Sequence, residues 1–133
     1  MELQKIECEF SVCKIDHIEQ VDFTREFIFL SKTSDEISLV CKAEYTPPGV
    51  ISCEPGWKAL KISGVLDFGM IGVIAKISNI LAEAKIGIFV VSTFNTDYIF
   101  IKTESFDRAV EELIRESYNI RILSASVVEC VFQ

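Results

Sequence analysis

Between Trp57 and Phe132 the hydrophobic pattern switches between strand and helix periods in an order that few folds satisfy. Trp57 to Ser63 reads as a strand ending at Gly64. A glycine-bearing loop follows, Val65-Leu66-Asp67-Phe68-Gly69-Met70-Ile71-Gly72. Apolar residues then recur at Ile71, Ile74, Ile77 (or Ser78) and Leu81, with Lys76, Asn79, Glu83 and Lys85 opposite, which predicts an amphipathic helix. Gly87 lies just beyond it, where a helix-ending glycine belongs. Ile88 to Phe94 is an almost unbroken apolar run, expected to be a central or doubly buried strand. Asn95-Thr96-Asp97 is a turn cluster, and Tyr98 to Lys102 is the return strand of a hairpin. Ser105 is placed to cap a second helix, whose apolar face is Phe106, Ala109, Val110, Leu113 and Ile114. Arg108 with Glu112 and Glu111 with Arg115 stand at solvent-side i,i+4 spacing. Ile120 to Phe132 reads as a long last strand. The order is βαββαβ, an α+β unit of the ferredoxin-like kind, with four strands in one sheet and both helices on one face.

The N-terminal part carries strands but little helix. Glu7 to Ile15, Phe27 to Leu30 and Ile37 to Lys42 read as strands, with a turn at Thr33-Ser34-Asp35-Glu36. All three prolines and two of the six glycines fall between Pro47 and Gly56, and this punctuation reads as a connector. The expected organisation is therefore two tandem units: residues 1–56, a degenerate copy, and residues 57–133, a complete one.

Composition narrows the function. Half the residues are hydrophobic and a quarter charged, a globular composition. The net charge of −7 would repel a phosphate backbone, so no nucleic-acid partner is expected. No apolar run approaches the roughly 20 residues of a spanning helix, so no membrane partner is expected. Met1-Glu2-Leu3-Gln4-Lys5 lacks the pattern of a signal peptide, and the expected location is the cytoplasm. Five cysteines, with no C-x-x-C pair and one histidine, His17, give no zinc constellation. Reduced thiols are the expectation, with no metal and no cofactor.

Several stretches taken in order resemble the ACT domain family in a small tandem form. They are Gly56-Trp57-Lys58-Ala59-Leu60-Lys61, Leu66 to Ala75, Ser92-Thr93-Phe94-Asn95-Thr96-Asp97-Tyr98, and Phe29 to Cys41 with its Thr33-Ser34-Asp35-Glu36 turn. The resemblance spans Phe27 to Tyr118. It implies two ACT-like units and regulatory binding of small molecules, often amino acids, as in aspartate kinases and in an arginine sensor of growth signalling. It also implies a ligand at an interface between units, with the loop into the first helix as one wall and the adjoining strand as another. Carried over, the first wall is Asp67, Phe68, Gly69, Met70, Ile71 and Gly72, and the second is Ser92, Thr93, Phe94, Asn95 and Asp97. The sensor's Thr-Phe-x-x-Asp set falls on Thr93, Phe94 and Asp97. Ile71-Gly72 stands where many ACT loops carry Pro-Gly.

The same residues make chemical sense without the family. A helix N-terminus offers free N–H groups and partial positive charge to a carboxylate, and Met70, Ile71 and Gly72 lie at such a terminus. Asp97 suits an ammonium, and Ser92 and Thr93 add hydroxyls. Plainer roles stand beside these: Gly69 and Gly72 as turn residues, Asp67 as a cap, Asp97 as a turn stabiliser, Phe68 and Phe94 as core or interface. Asp67-Phe68-Gly69 spells a kinase motif without the catalytic loop that must accompany it. No nucleophile–base set or Walker loop is present. The expectation is a non-catalytic regulatory module that binds an amino acid or related metabolite and forms a homodimer. The competing expectation is a protein–protein interaction module with no ligand.

Overall fold

The computed structural model describes residues 2–63 and 72–122. In chain order these form β1 (Glu2–Ile15), β2 (Phe29–Lys32), β3 (Ile37–Lys42), β4 (Ser52–Ile62), α1 (Val73–Glu83), β5 (Ile88–Ser92), β6 (Asp97–Lys102), α2 (Thr103–Arg115) and β7 (Asn119–Ile122). Single 3-10 turns lie at Ile18–Gln20 and Ala43–Tyr45. The chain divides into two units: residues 9–57, and residues 2–8 together with those from Lys58 onward.

The unit containing the C-terminal half has the predicted βαββαβ order from β4 to β7. Its helices pack on the same face of the sheet. Ile77 and Leu81 of α1 share one buried cluster with Phe106, Ala109, Val110 and Leu113 of α2, and with Leu60, Ile62, Ile99 and Ile101 of β4 and β6. Alternate strand residues face one side, so this set defines a single covered face. Each fully buried Leu, Ile or Phe contributes roughly 1.5–3 kcal/mol. Lys76, Asn79, Glu83 and Lys85 stay in solvent, as the helical period requires.

Four details depart from the sequence reading. First, β1 begins at Glu2, and β7 pairs with it in parallel, Leu3 opposite Ile120. Residues 2–8 thus add a fifth strand, and the order is β7-β1-β4-β6-β5. Second, β5 is the last strand of that order rather than a central one. Its run of apolar residues has two destinations: Ile88 and Val90 pack on the helical cluster, and Phe89 stacks on Phe100, with centroids 4.6 Å apart. Third, α2 starts directly from β6, with Lys102 at its N-cap, so Ser105 lies inside the helix and does not cap it. Fourth, Ile114 is 54% exposed, and Arg115 pairs with Glu112 at i,i+3, while Arg108 donates to the Ala84 carbonyl at 2.7 Å. The predicted last strand beyond Ile122 lies outside the described residues.

In the other unit β3 lies between β2 and β1. β4 starts at Ser52 and so runs through Pro55-Gly56, where the sequence suggested a connector. Gly56 makes this possible with φ of 87°, a left-handed conformation costly to side-chain-bearing residues. Lys42 is buried, its Nζ 5.7 Å from the Phe27 ring and 6.0 Å from Tyr45, both within cation–π range. Cys13, Cys41 and Cys53 are free thiols. Cys8 is disulfide-bonded, which corrects the expectation of reduced thiols throughout; an odd count forces one free thiol but forbids no pair.

The two hairpins repeat each other. Phe29↔Val40, Leu30↔Leu39, Ser31↔Ser38 and Lys32↔Ile37 are cross-strand pairs of β2 and β3. Phe89↔Phe100, Val90↔Ile99, Val91↔Tyr98 and Ser92↔Asp97 are those of β5 and β6, at a constant spacing of 60 residues. The turns match as well: the N–H of Thr33 donates to Glu36 O at 2.9 Å, and that of Thr93 to Thr96 O at 2.8 Å. Both second strands end at a lysine with nearly the same backbone, Lys42 at φ −57° and ψ 139°, Lys102 at φ −54° and ψ 139°. After Lys102 comes a 13-residue helix, and after Lys42 a three-residue turn. Of the aligned positions only Phe29/Phe89, Thr33/Thr93 and Lys42/Lys102 are identical, because little beyond the alternation and the threonine of the turn is needed to make the repeat.

Candidate functional site

The predicted second wall is the turn between β5 and β6. Thr93 builds it: its hydroxyl donates to Thr96 O at 2.8 Å and accepts the Thr96 N–H at 3.3 Å. This is the local side-chain-to-backbone bonding that favours Thr in turns. Ser92, Thr93, Phe94 and Asn95 are exposed, Phe94 by 82%. Asp97 is half-buried and sits opposite Ser92 in the ladder. The five predicted residues of this wall are therefore gathered in one turn, with the hydroxyl of Thr93 already engaged inside it.

Thr96, which the sequence reading treated only as part of a turn cluster, fixes the position of that turn. It is 3% exposed, and its hydroxyl donates to the Ile62 carbonyl at 2.9 Å. Ile62 is the last residue of β4. The turn is thus tied to the strand end from which the chain continues toward residues 64–71. Ser63, next in line, donates its N–H to Glu2 O and its hydroxyl to Glu2 Oε1, both at 3.0 Å. Arg121 Nε holds the other Glu2 oxygen at 2.8 Å. Nothing in the sequence marks Thr96 for this task, since its partner is a backbone carbonyl 34 residues away.

Of the first wall, Gly72 is described; Asp67, Phe68, Gly69, Met70 and Ile71 lie outside the described residues. Gly72 is the N-cap of α1, with φ of 81° and ψ of 8°. Its carbonyl accepts the Lys76 N–H at 2.9 Å, and as glycine it supplies no side chain to the first-turn amides. Those amides and the helix dipole give the α1 terminus positive character, which suits an anionic group. A cation also stands beside the turn: Lys61 Nζ lies 6.0 Å from the ring of Tyr98, the neighbour of Asp97. Burial pushes the Tyr98 phenol above its usual range, so it stays protonated at neutral pH.

A cavity of about 330 Å³ lies elsewhere on this unit, lined by Ile80, Glu83, Ala84, Glu112 and Glu116 of the two helices and the residues that end them. Among the described residues, none of the predicted site residues lines it. Among the described residues no group of His, Cys, Asp and Glu is arranged to hold a metal ion, and no helix is long and apolar enough to cross a membrane.

A family profile for the ACT domain matches residues 52–115. The match opens on the first residue of β4 and closes on the last of α2. The chain carries an ACT domain. ACT domains are regulatory ligand-binding modules. Among curated proteins, none matches the chain in sequence. Among solved structures, it is similar to a structural-genomics protein of Agrobacterium tumefaciens, with a TM-score of 0.79 and 23% identity over 91% of this chain and 92% of that one. A Vibrio cholerae protein described as of unknown function and possibly a transport protein gives 0.70 and 20%, over 84% and 85%. The ligand-free regulatory subunit of aspartate kinase from Thermus thermophilus gives 0.60 and 12%, over 85% and 95%. At these identities the likeness is one of fold.

Proposed function

We propose that this protein is a non-catalytic regulatory module that binds an amino acid or a similar small metabolite at an interface between ACT units. The ligand is held between the Asp67 to Gly72 loop and the Ser92 to Asp97 turn. The observation that carries the reading is the Thr96–Ile62 hydrogen bond. It anchors the turn bearing Thr93, Phe94 and Asp97 to the end of β4, the strand that leads into the other wall. The ligand carboxylate meets the first-turn amides after Gly72, and Asp97 takes the ammonium or a cationic side chain. The kinship of fold with the regulatory subunit of an aspartate kinase supports a regulatory rather than a catalytic role. The repeated hairpins support reading residues 1–56 and 57–133 as tandem ACT-like units, and a soluble module of this kind would act in the cytoplasm.

A thermal-shift screen against the standard amino acids tests this. A ligand at about 100 times its dissociation constant adds roughly 2.7 kcal/mol to the folded state and raises the melting temperature visibly. A screen in which no amino acid moves the transition counts against the proposal.

A second reading has its own observation. Phe94 projects from its turn almost fully exposed, and β5 ends the strand order among the described residues. An open strand edge invites pairing, so the module forms a homodimer. Light scattering that reports a monomer at high micromolar concentration, with and without amino acids, would remove the dimer.

A further inference from the structure

Two free thiols within residues 9–57 stand close to bonding distance. Cys13, on β1, is 2% exposed and belongs to a cluster with Ile15, Val21, Leu39 and Cys41. Cys53, on β4, is exposed. The Cys13 thiol donates to Cys53 Sγ at 3.4 Å. Disulfide sulfurs lie at 2.03–2.05 Å, so a bond needs an approach of about 1.4 Å between side chains already in contact. The strands that carry them are hydrogen-bonded neighbours, and the Ile51 N–H donates to the Lys14 carbonyl at 2.8 Å beside the pair.

We propose that Cys53 is a site of redox modification and Cys13 its resolving thiol, the two forming a reversible intrachain disulfide with a low-molecular-weight disulfide as oxidant. Cys53 loses its proton and attacks one sulfur of the oxidant. The oxidant's S–S bond breaks, a mixed disulfide forms on Cys53, and one small thiolate leaves. Cys13 then loses its proton and attacks Cys53 Sγ, releasing the second small thiolate. The two protons end on the two released thiols, the oxidant is reduced by two electrons, and the protein dithiol is oxidised by two. Accessibility sets the order, because of the two thiols Cys53 is the exposed one and Cys13 is buried. Burial and then the neighbouring Cys53 push the Cys13 thiol up to about 12, so at neutral pH it is the protonated donor and Cys53 is the first attacker. Cys41 is fully buried and has no surface from which to start the exchange. Closing the bond spans 40 positions of sequence, which restricts the unfolded chain and so favours the folded one.

The test treats the full chain with oxidised glutathione and maps peptides without reduction. The expected product links the Cys13 and Cys53 peptides, lacks two hydrogens, carries no glutathione and is reversed by dithiothreitol. Oxidised protein should melt roughly 5–15 °C above reduced protein. Cys13→Ala should leave glutathione trapped on Cys53, and Cys41→Ala should still form the link. Stable glutathione on Cys53 of the unsubstituted chain with no link to Cys13, a link from Cys53 to Cys41 instead, or no reaction would each overturn the proposal. The mapping follows one pair of peptides, so the existing disulfide at Cys8 does not enter the result, and no amino-acid ligand is needed.

Discussion

Replacing Thr96 with valine removes one hydroxyl and keeps the shape of the side chain. The hydroxyl lies on a residue that is 3% exposed and donates to the Ile62 carbonyl at 2.9 Å. A buried neutral hydrogen bond contributes about 0.5–1.5 kcal/mol net. Its loss also leaves the carbonyl short of one partner in a place water does not reach, which costs a further fraction of the desolvation penalty of roughly 1–3 kcal/mol. The sum is expected at about 1–2.5 kcal/mol. Urea unfolding followed through the single tryptophan, Trp57, measures it. With an m-value of about 1–3 kcal/mol/M, the midpoint should fall by about 0.3–2.5 M. Ser92→Ala, at an exposed position of the same turn, should stay within about 0.5 kcal/mol of the parent. A Thr96→Val midpoint equal to the parent's would refute the claim that this bond fixes the turn to β4.

Two other outcomes follow from the geometry. Gly72→Ala meets open space but places a Cβ on a residue at φ 81°, so it should cost about 1–2 kcal/mol, read as a lower melting temperature; an unchanged melting temperature would contradict the left-handed cap. Burial, the leading cause in both, pushes Cys13 to about 12 and Cys41 to about 11, so a thiol alkylator at pH 8 should label Cys53 first and leave those two largely unmodified until the fold opens. Because the folded values lie above the unfolded one of 9.0, the folded state holds these protons more tightly, and its stability should decline as pH rises from about 9 toward 12. Equal labelling of all three thiols in the native protein at pH 8 would contradict the burial.

The helices were legible because their faces are written in one contiguous stretch of sequence. Ile74, Ile77 and Leu81 of α1, and Phe106, Ala109, Val110 and Leu113 of α2, repeat at a period that only a helix brings to one side. Ile114 escapes that logic because it lies at the margin of the apolar stripe and turns to solvent. The β5–β6 hairpin was legible from its Asn95-Thr96-Asp97 punctuation. Pairing between distant strands was not. The parallel contact of Leu3 with Ile120 joins opposite ends of the chain, and no local period encodes a partner more than 100 residues away. The strand through Pro55-Gly56 was hidden because proline and glycine signal turns by default, although both are tolerated where a strand bends or carries a positive φ. At the candidate site the chemistry-bearing residues, Thr93 and Asp97, stood out by type. Thr96, which positions them, did not, since its single bond goes to a backbone atom.

The central claim is that an amino-acid ligand is held between the Asp67 to Gly72 loop and the turn that carries Asp97. Isothermal titration of the parent chain and of Asp97→Ala, each with the amino acid that raises the melting temperature most, tests it directly. A charge-assisted hydrogen bond to the ligand's cationic group is worth roughly 1.5–3 kcal/mol. Its removal should weaken binding by about tenfold or more, while the unfolding midpoint of the mutant stays near that of the parent, because Thr93 and Thr96 still hold the turn. Equal affinity of the two proteins, with both folded, would contradict the account and leave Asp97 as a turn residue alone.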